Sequence, residues 1–255
     1  MLLTINMGNT RTKALLYQGE EKNGHYVIPT GKERRLYEDF LQSMPRPSRI
    51  LLSSVVPAAA AELIAAADLV WGLPVEAISA REDLGLSFAT VDYHQLGSDL
   101  FVNAVASQNF YGGNLLNVDL GSASTFCVIK DGVYLGTSIV PGMELSIRAM
   151  IAGTALLEDF VLQKIEGVIQ DNTVACLQSG IYYGYFELVS GMIRRIQEEQ
   201  GPLTVVLTGG IGTFLYDELA PFVQHFRPDL TLEGLKLIAD LLPSGGARER
   251  STTAS

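Results

Sequence analysis

Apolar residues crowd positions 2–7, give way at Gly8-Asn9 and resume over 11–17, a pattern that predicts a β-hairpin with a polar tip. Residues 25–28 offer a third strand. Helical spacing of apolar positions over 32–44 predicts a helix, which Pro45 and Pro47 stop before a strand at 49–53. Pro57 suits the first position of the Ala-rich helix that follows. A short strand is expected at 75–78, and 84–95 reads as a loop region.

The second half begins with a helix over 99–110, which leads through Gly112-Gly113-Asn114 into an apolar strand at 115–118. A polar turn at 119–124 follows. Strands at 125–129 and 133–139 then form a hairpin around Lys130-Asp131-Gly132. A long helical pattern covers 173–197, and a buried-type strand at 203–207 runs into Thr208-Gly209-Gly210-Ile211-Gly212 and a further helix. A helix over 230–242 precedes a Ser-, Gly-, Arg- and Thr-rich tail, 243–255, predicted to be disordered.

The two polar turns resemble each other. Ile5-Asn6-Met7-Gly8-Asn9-Thr10-Arg11-Thr12 runs parallel to Val118-Asp119-Leu120-Gly121-Ser122-Ala123-Ser124-Thr125. A repeat at this separation, with a hairpin ahead of helices in both halves, predicts duplication of one α/β unit. The expected organisation is two lobes, 1–113 and 114–242, with a cleft between them.

Composition narrows the partners. With 47% hydrophobic and 8% aromatic residues, 255 residues can bury a substantial core, and the balance of 18 Lys+Arg against 28 Asp+Glu gives a formal charge of -10. That charge disfavours nucleic acid and anionic membrane surfaces as partners. No apolar run reaches the length of a membrane span and the start lacks a secretory leader pattern, so a cytoplasmic location is expected. Cys127 and Cys176 both lie in apolar segments and read as small core residues. His25, His94 and His225 have no metal-ligand spacing and read as surface or loop histidines.

Candidate chemistry lies in the turns. Gly8 and Gly121 allow the backbone to approach an anion, while Asn9, Thr10, Ser122 and Ser124 carry groups able to donate to phosphate oxygens. Lys13 either adds positive charge there or is solvated. Gly209 and Gly210, between a buried strand and a helix, suit close contact with a nucleotide. Taken alone, Asp99 reads as a helix N-cap after Gly97-Ser98, Asp119 as a turn former, and Thr173 as the cap of the long helix after Asp171-Asn172.

The ordered set Asn6-Met7-Gly8-Asn9-Thr10, Ser53-Ser54-Val55-Val56-Pro57, Gly97-Ser98-Asp99, Asp119-Leu120-Gly121-Ser122-Ala123-Ser124, Gly136 with Ile139-Val140-Pro141-Gly142, Thr173 with Gln178-Ser179-Gly180, and Thr208-Gly209-Gly210 resembles the type III pantothenate kinases. The resemblance spans about residues 2–240. It implies an α/β fold of two ribonuclease H-like lobes, as in actin and the acetate and sugar kinases, with a nucleotide cleft. It also implies a homodimer that phosphorylates pantothenate with ATP in coenzyme A synthesis, using Mg²⁺ and a monovalent cation, K⁺ or NH₄⁺. By position, Asn6, Gly8, Asn9, Thr10, Lys13, Gly121, Ser122, Gly209 and Gly210 would meet ATP. Gly97, Ser98, Asp99, Leu100 and Thr173 would meet pantothenate. Asp99 would be the general base, and Asp119 would bind the monovalent cation. Asn6 stands where the family has Asp, and Leu100 where it has Arg. Those two departures leave two further readings open: a nucleotide-binding relative with weak or no turnover, and a kinase for another hydroxylated acceptor.

Overall fold

The computed structural model describes residues 1–89, 92–153 and 160–242. In chain order the first elements are β1 (Leu2–Met7), β2 (Arg11–Gln18), β3 (Glu21–Pro29), α1 (Arg34–Gln42), β4 (Arg49–Ser54), α2 (Pro57–Trp71), β5 (Val75–Ala77), β6 (Ser87–Phe88) and α3 (Ser98–Tyr111). The chain continues through β7 (Leu115–Leu120), β8 (Ala123–Lys130), β9 (Val133–Pro141), α4 (Met143–Ala152) and α5 (Thr173–Gln200). It ends with β10 (Thr204–Thr208), α6 (Gly210–Leu219), β11 (His225–Phe226) and α7 (Leu230–Leu241).

Two compact units result, one of Met1–Gly85, Asp92–Ala106 and the chain from Thr231, the other of Leu86–Val91 and Ser107–Leu230. Relative to lobes drawn as 1–113 and 114–242, the units exchange three pieces. The β6 segment belongs with the second unit, α3 contributes residues to both, and α7 returns to the first. The tail expected over 243–255 lies outside the described residues.

In the first unit the sheet order is β3-β2-β1-β4-β5, with β1 antiparallel to β2 and parallel to β4. Because β1 is covered on both faces, its sequence is a nearly continuous apolar run instead of an alternation. Leu3, Ile5 and Met7 pack with Tyr37 and Phe40 of α1 and Leu63 of α2. Leu15 and Tyr17 of β2 pack with Leu232 of α7. Helix α2 opens on Pro57 and closes at Gly72, whose φ of 62° is left-handed and whose N–H donates to Asp68 O at 2.8 Å.

Close packing of α3 on α7 rests on Gly234, where a Cβ would lie 2.7 Å from Val102 Cγ1. Arg49 ties the end of α7 to the sheet. Its guanidinium donates to Ala239 O at 2.6 Å and pairs with Glu76 at 2.7 and 2.8 Å.

The second unit has the order β11-β10-β7-β8-β9-β6. Reversed and without β6, this is the order of the first sheet, with β7, β8, β9, β10 and β11 in the places of β1 to β5. The α/β duplication read from the turns therefore extends to strand order and direction. Leu116, Val118, Leu120, Phe126, Val205 and Leu207 form the apolar face, packed against Met143 of α4, Tyr182 and Val189 of α5 and Leu215 of α6.

Several local expectations change. Residues 84–95 are not only loop, because Ser87 and Phe88 pair in parallel with Val133 and Tyr134. Helix α4 was not expected, its apolar spacing being short and following Pro141-Gly142. Cys127 is buried as expected, but Cys176 is exposed on α5, where Ala175 turns to the core and Cys176, like Val174, does not. The α5 cap is Asn172, whose side chain accepts from Ala175 N, so Thr173 is the first helical residue and not the cap. Likewise α3 begins at Ser98, which places Asp99 inside the first turn instead of at the cap.

Candidate active site

The first turn joins β1 to β2. Register places Asn6 opposite Lys13 on β2 and Ser53 on β4, so these three side chains share one face at the end of the central strand. Gly8 N donates to Arg11 O at 3.1 Å and closes the turn. Gly8 and Thr10 are half-buried, and Asn9 is exposed. The turn is braced by Thr30, just beyond β3. Thr30 Oγ1 donates to Gly8 O at 2.7 Å and Thr30 N to Thr10 O at 3.1 Å, while Thr12 Oγ1 lies 2.9 Å from Thr30 Oγ1.

The second turn repeats the arrangement. Asp119 stands opposite Thr125 on β8 and Thr208 on β10, and Gly121 N donates to Ala123 O at 3.1 Å. Register also corrects the simple sequence alignment. Met7 pairs with Thr12 whereas Leu120 pairs with Ser124, so the second turn is one residue shorter and Lys13 corresponds to Thr125. Two glycines make room around this turn. A Cβ on Gly142 would lie 2.3 Å from Gly121 O and 2.4 Å from Ser122 O. A Cβ on Gly209 would lie 2.5 Å from Leu120 O and 2.6 Å from Asp119 Oδ1, and Gly209 has a left-handed φ of 92°.

Gly209 is also the residue ahead of α6, which starts at Gly210, so the helix N-terminus follows directly on the strand next to Asp119. Behind the turn, the Tyr185 hydroxyl of α5 is hydrogen-bonded to Ser124 Oγ. Burial raises the Tyr185 pKa, the Ser124 hydrogen bond opposes the rise, and the negative charge of Asp119 adds to it.

At the start of α3, Ser98 is bound to β4. Its Oγ accepts from Ser54 N at 2.8 Å, donates to Ser54 O at 3.0 Å and lies 2.9 Å from Ser53 Oγ. Ser98 thus fixes the helix start, with its hydroxyl buried. Next to it, burial raises the Asp99 carboxyl above the ordinary carboxylate value, opposed by the hydrogen bond that Oδ1 accepts from Leu100 N at 2.8 Å. A Cβ on Gly97 would sit 2.7 Å from Asp99 Oδ1, so a larger residue there would push the Asp99 carboxylate from this position. Leu100 is half-buried beside it. Thr173 is exposed at the first position of α5.

The structure thus groups Asn6, Gly8, Asn9, Thr10 and Lys13 around one turn, Gly97 to Leu100 at one helix start, and Asp119, Gly121, Ser122, Gly209 and Gly210 around the other turn. Thr30 and Tyr185 brace these turns and were missed in the sequence, while Thr125, quoted there only as part of the repeat, stands opposite Asp119. Thr30 could not have been found by pattern, since its partners lie 18 to 22 residues away.

A family model for type III pantothenate kinase matches residues 2–195. The chain belongs to the type III pantothenate kinase family. A type III pantothenate kinase from Ruegeria sp. (strain TM1040) is 35% identical over 258 residues, covering 93% of this chain and 96% of the relative. One from Rhodospirillum rubrum is 34% identical over 251 residues, covering 93% and 97%. Among solved structures, the activator of the 2-hydroxyisocaproyl-CoA dehydratase from Clostridium difficile, with bound ADPNP, aligns with a TM-score of 0.52 at 13% identity, covering 96% of this chain and 99% of that one. The fold is that of the actin-like ATPases and sugar kinases.

Within this family member, the donors available for cations are oxygens. Among the described residues no three acidic, His or Cys side chains cluster; the first turn, 6–13, carries no acidic residue and the second, 119–125, carries Asp119. Asp119 Oδ1 borders the space beside Gly209, where a Cβ would lie 2.6 Å from it. A carboxylate oxygen suits a hard cation, and a single carboxylate suffices for Mg²⁺ when substrate phosphates supply further ligands.

Proposed function

We propose that the chain transfers the γ-phosphoryl group of ATP to the hydroxyl of pantothenate, giving 4′-phosphopantothenate in the first step of coenzyme A biosynthesis. Membership of the kinase family supports the reaction, and the Asp99 carboxyl is the observation that carries the mechanism. Held at the first turn of α3, whose start Ser98 fixes, Asp99 accepts the proton of the pantothenate hydroxyl as that oxygen attacks phosphorus and ADP leaves. Phosphoryl transfer needs positioning more than a strong base, and a carboxylate suffices.

In the first unit, Gly8, Asn9, Thr10 and Lys13 are the phosphate contacts, with Asn6 a neutral oxygen donor beside them. In the second unit, Gly121, Ser122, Gly209 and Gly210 serve ATP and Asp119 the monovalent cation, K⁺ or NH₄⁺. Mg²⁺ supplies charge neutralisation on the phosphates, where Asn6 gives less help than an Asp would. Gly97, Leu100 and Thr173 contact pantothenate, whereas Ser98 acts from behind. A homodimer in the cytoplasm is part of the same proposal, on the family resemblance.

One observation favours a second reading. Leu100, beside Asp99, brings no positive charge or forked donor for a carboxylate, which suits a neutral hydroxylated acceptor. Measuring ATP consumption across a panel of hydroxylated acceptors separates the two. Pantothenate as the best acceptor by kcat/KM supports the first reading, and a neutral acceptor turning over faster supports the second.

A further inference from the structure

Peptide planarity gives Thr30 a consequence beyond bracing. In a trans peptide the N–H points opposite to the C=O of the same plane. Gly8 C=O points at the Thr30 hydroxyl, at 2.7 Å, so the N–H of Asn9 is aimed away from it. Thr10 C=O points at Thr30 N, at 3.1 Å, so the N–H of Arg11 is likewise aimed away. One residue therefore sets two peptide planes of the turn. Its proton inventory is also determined. Because the Thr30 hydroxyl proton is spent on Gly8 O, Thr12 Oγ1 must be the donor in the 2.9 Å contact with Thr30 Oγ1. Thr12 is fully buried on β2, so the pair is anchored in the core.

We propose that Thr30 is a positioning residue for the phosphate-binding turn, orienting the backbone donors of Asn9 and Arg11 toward the nucleotide without touching it. The inference rests on the proposed assignment of this turn to ATP phosphates. Oriented N–H groups bind an anion well because they need no reorganisation when it arrives. Without the Thr30 hydroxyl, Gly8 C=O would be released and the Asn9 plane could rotate.

The test compares Thr30→Val with Thr30→Ser in the full chain. Valine keeps the shape and the backbone N–H but removes the hydroxyl, and serine restores it. Binding of a non-hydrolysable ATP analogue is measured by titration calorimetry, together with KM for ATP, KM for pantothenate and thermal stability. The expected result is an analogue Kd and ATP KM raised roughly fivefold to tenfold in Thr30→Val, as for loss of one hydrogen bond's worth of organisation. The KM for pantothenate should change by less than about twofold, and Thr30→Ser should return ATP binding to within about twofold. A Thr30→Val protein with lowered melting temperature but unchanged nucleotide affinity would overturn the inference and leave Thr30 a structural residue only. Failure of Thr30→Ser to restore affinity would overturn it too, by assigning the effect to the methyl group. If the unmodified protein fails to bind the analogue at millimolar concentration, the ATP assignment itself falls and this inference with it, an outcome distinct from the other two.

Discussion

At Asp99, burial and a hydrogen bond from Leu100 N act in opposite directions, and burial prevails. The sign of the consequences follows. A raised pKa means the folded protein holds the Asp99 proton more tightly than the unfolded chain, whose ordinary value is 3.8. Its contribution to stability is complete below that value and is lost as pH rises through the folded pKa. Asp99→Asn, which mimics the neutral carboxyl, should therefore melt at or above the temperature of the unmodified protein at pH 7, while losing about 10²- to 10⁴-fold in kcat. In the same way, the acid limb of kcat/KM should lie above the ordinary carboxylate range and disappear with Asp99→Asn.

Leu100→Arg is expected to lower KM for pantothenate about tenfold to a hundredfold, corresponding to ~1.5–3 kcal/mol for a charge-assisted contact, checked by steady-state kinetics. Taken alone, Asp99 and Asp119 read only as a helix cap and a turn former, and it was the ordered set of motifs around them that singled them out as candidates. Their surroundings were not legible. Nothing local to Thr30 or Tyr185 announces that they will meet Gly8 or Ser124, since those contacts exist only once the strands are in register.

Among the elements, the turns show which glycines are indispensable and why. Gly209 combines a left-handed φ with contact distances below 3 Å, whereas Gly142 has an unstrained φ of -69° and lacks only room. Alanine at either position should lower stability, by about 1–3 kcal/mol for the backbone strain at Gly209 before any clash is counted. Urea unfolding measures this. Gly209→Ala should additionally weaken ATP binding because it displaces the strand end that carries Asp119, seen as a raised KM for ATP. Hairpins, the Pro-initiated α2 and the long α5 could be read from periodicity and turn residues. Helix α4 and β6 were not read, α4 because it follows directly on the Pro141-Gly142 break and β6 because two residues show no period, and the one-residue difference between the two turns became visible only through pairing.

For the whole molecule, the matching strand orders β3-β2-β1-β4-β5 and β9-β8-β7-β10-β11 are the strongest sign of a duplicated architecture. The repeat was legible from two short turns, because a turn that ends a buried central strand keeps its pattern of apolar, polar and glycine positions. What the sequence concealed is that α7, last in the chain, completes the first unit through Gly234 and Arg49. Non-local helix packing of this kind leaves only an amphipathic pattern behind. Arg49→Ala should therefore destabilise the first unit, because it removes the Glu76 pair and the partner of the Ala239 carbonyl together. The expected loss is on the order of 1.5–3 kcal/mol, read from urea denaturation.

The central claim is turnover on pantothenate, and phosphorus NMR of the purified protein with ATP, Mg²⁺, K⁺ and pantothenate tests it most directly. Appearance of the phosphomonoester signal of 4′-phosphopantothenate in step with ADP, absent in Asp99→Asn, is the result predicted. ATP left intact at millimolar pantothenate, with the protein folded and saturated by nucleotide, would contradict the account.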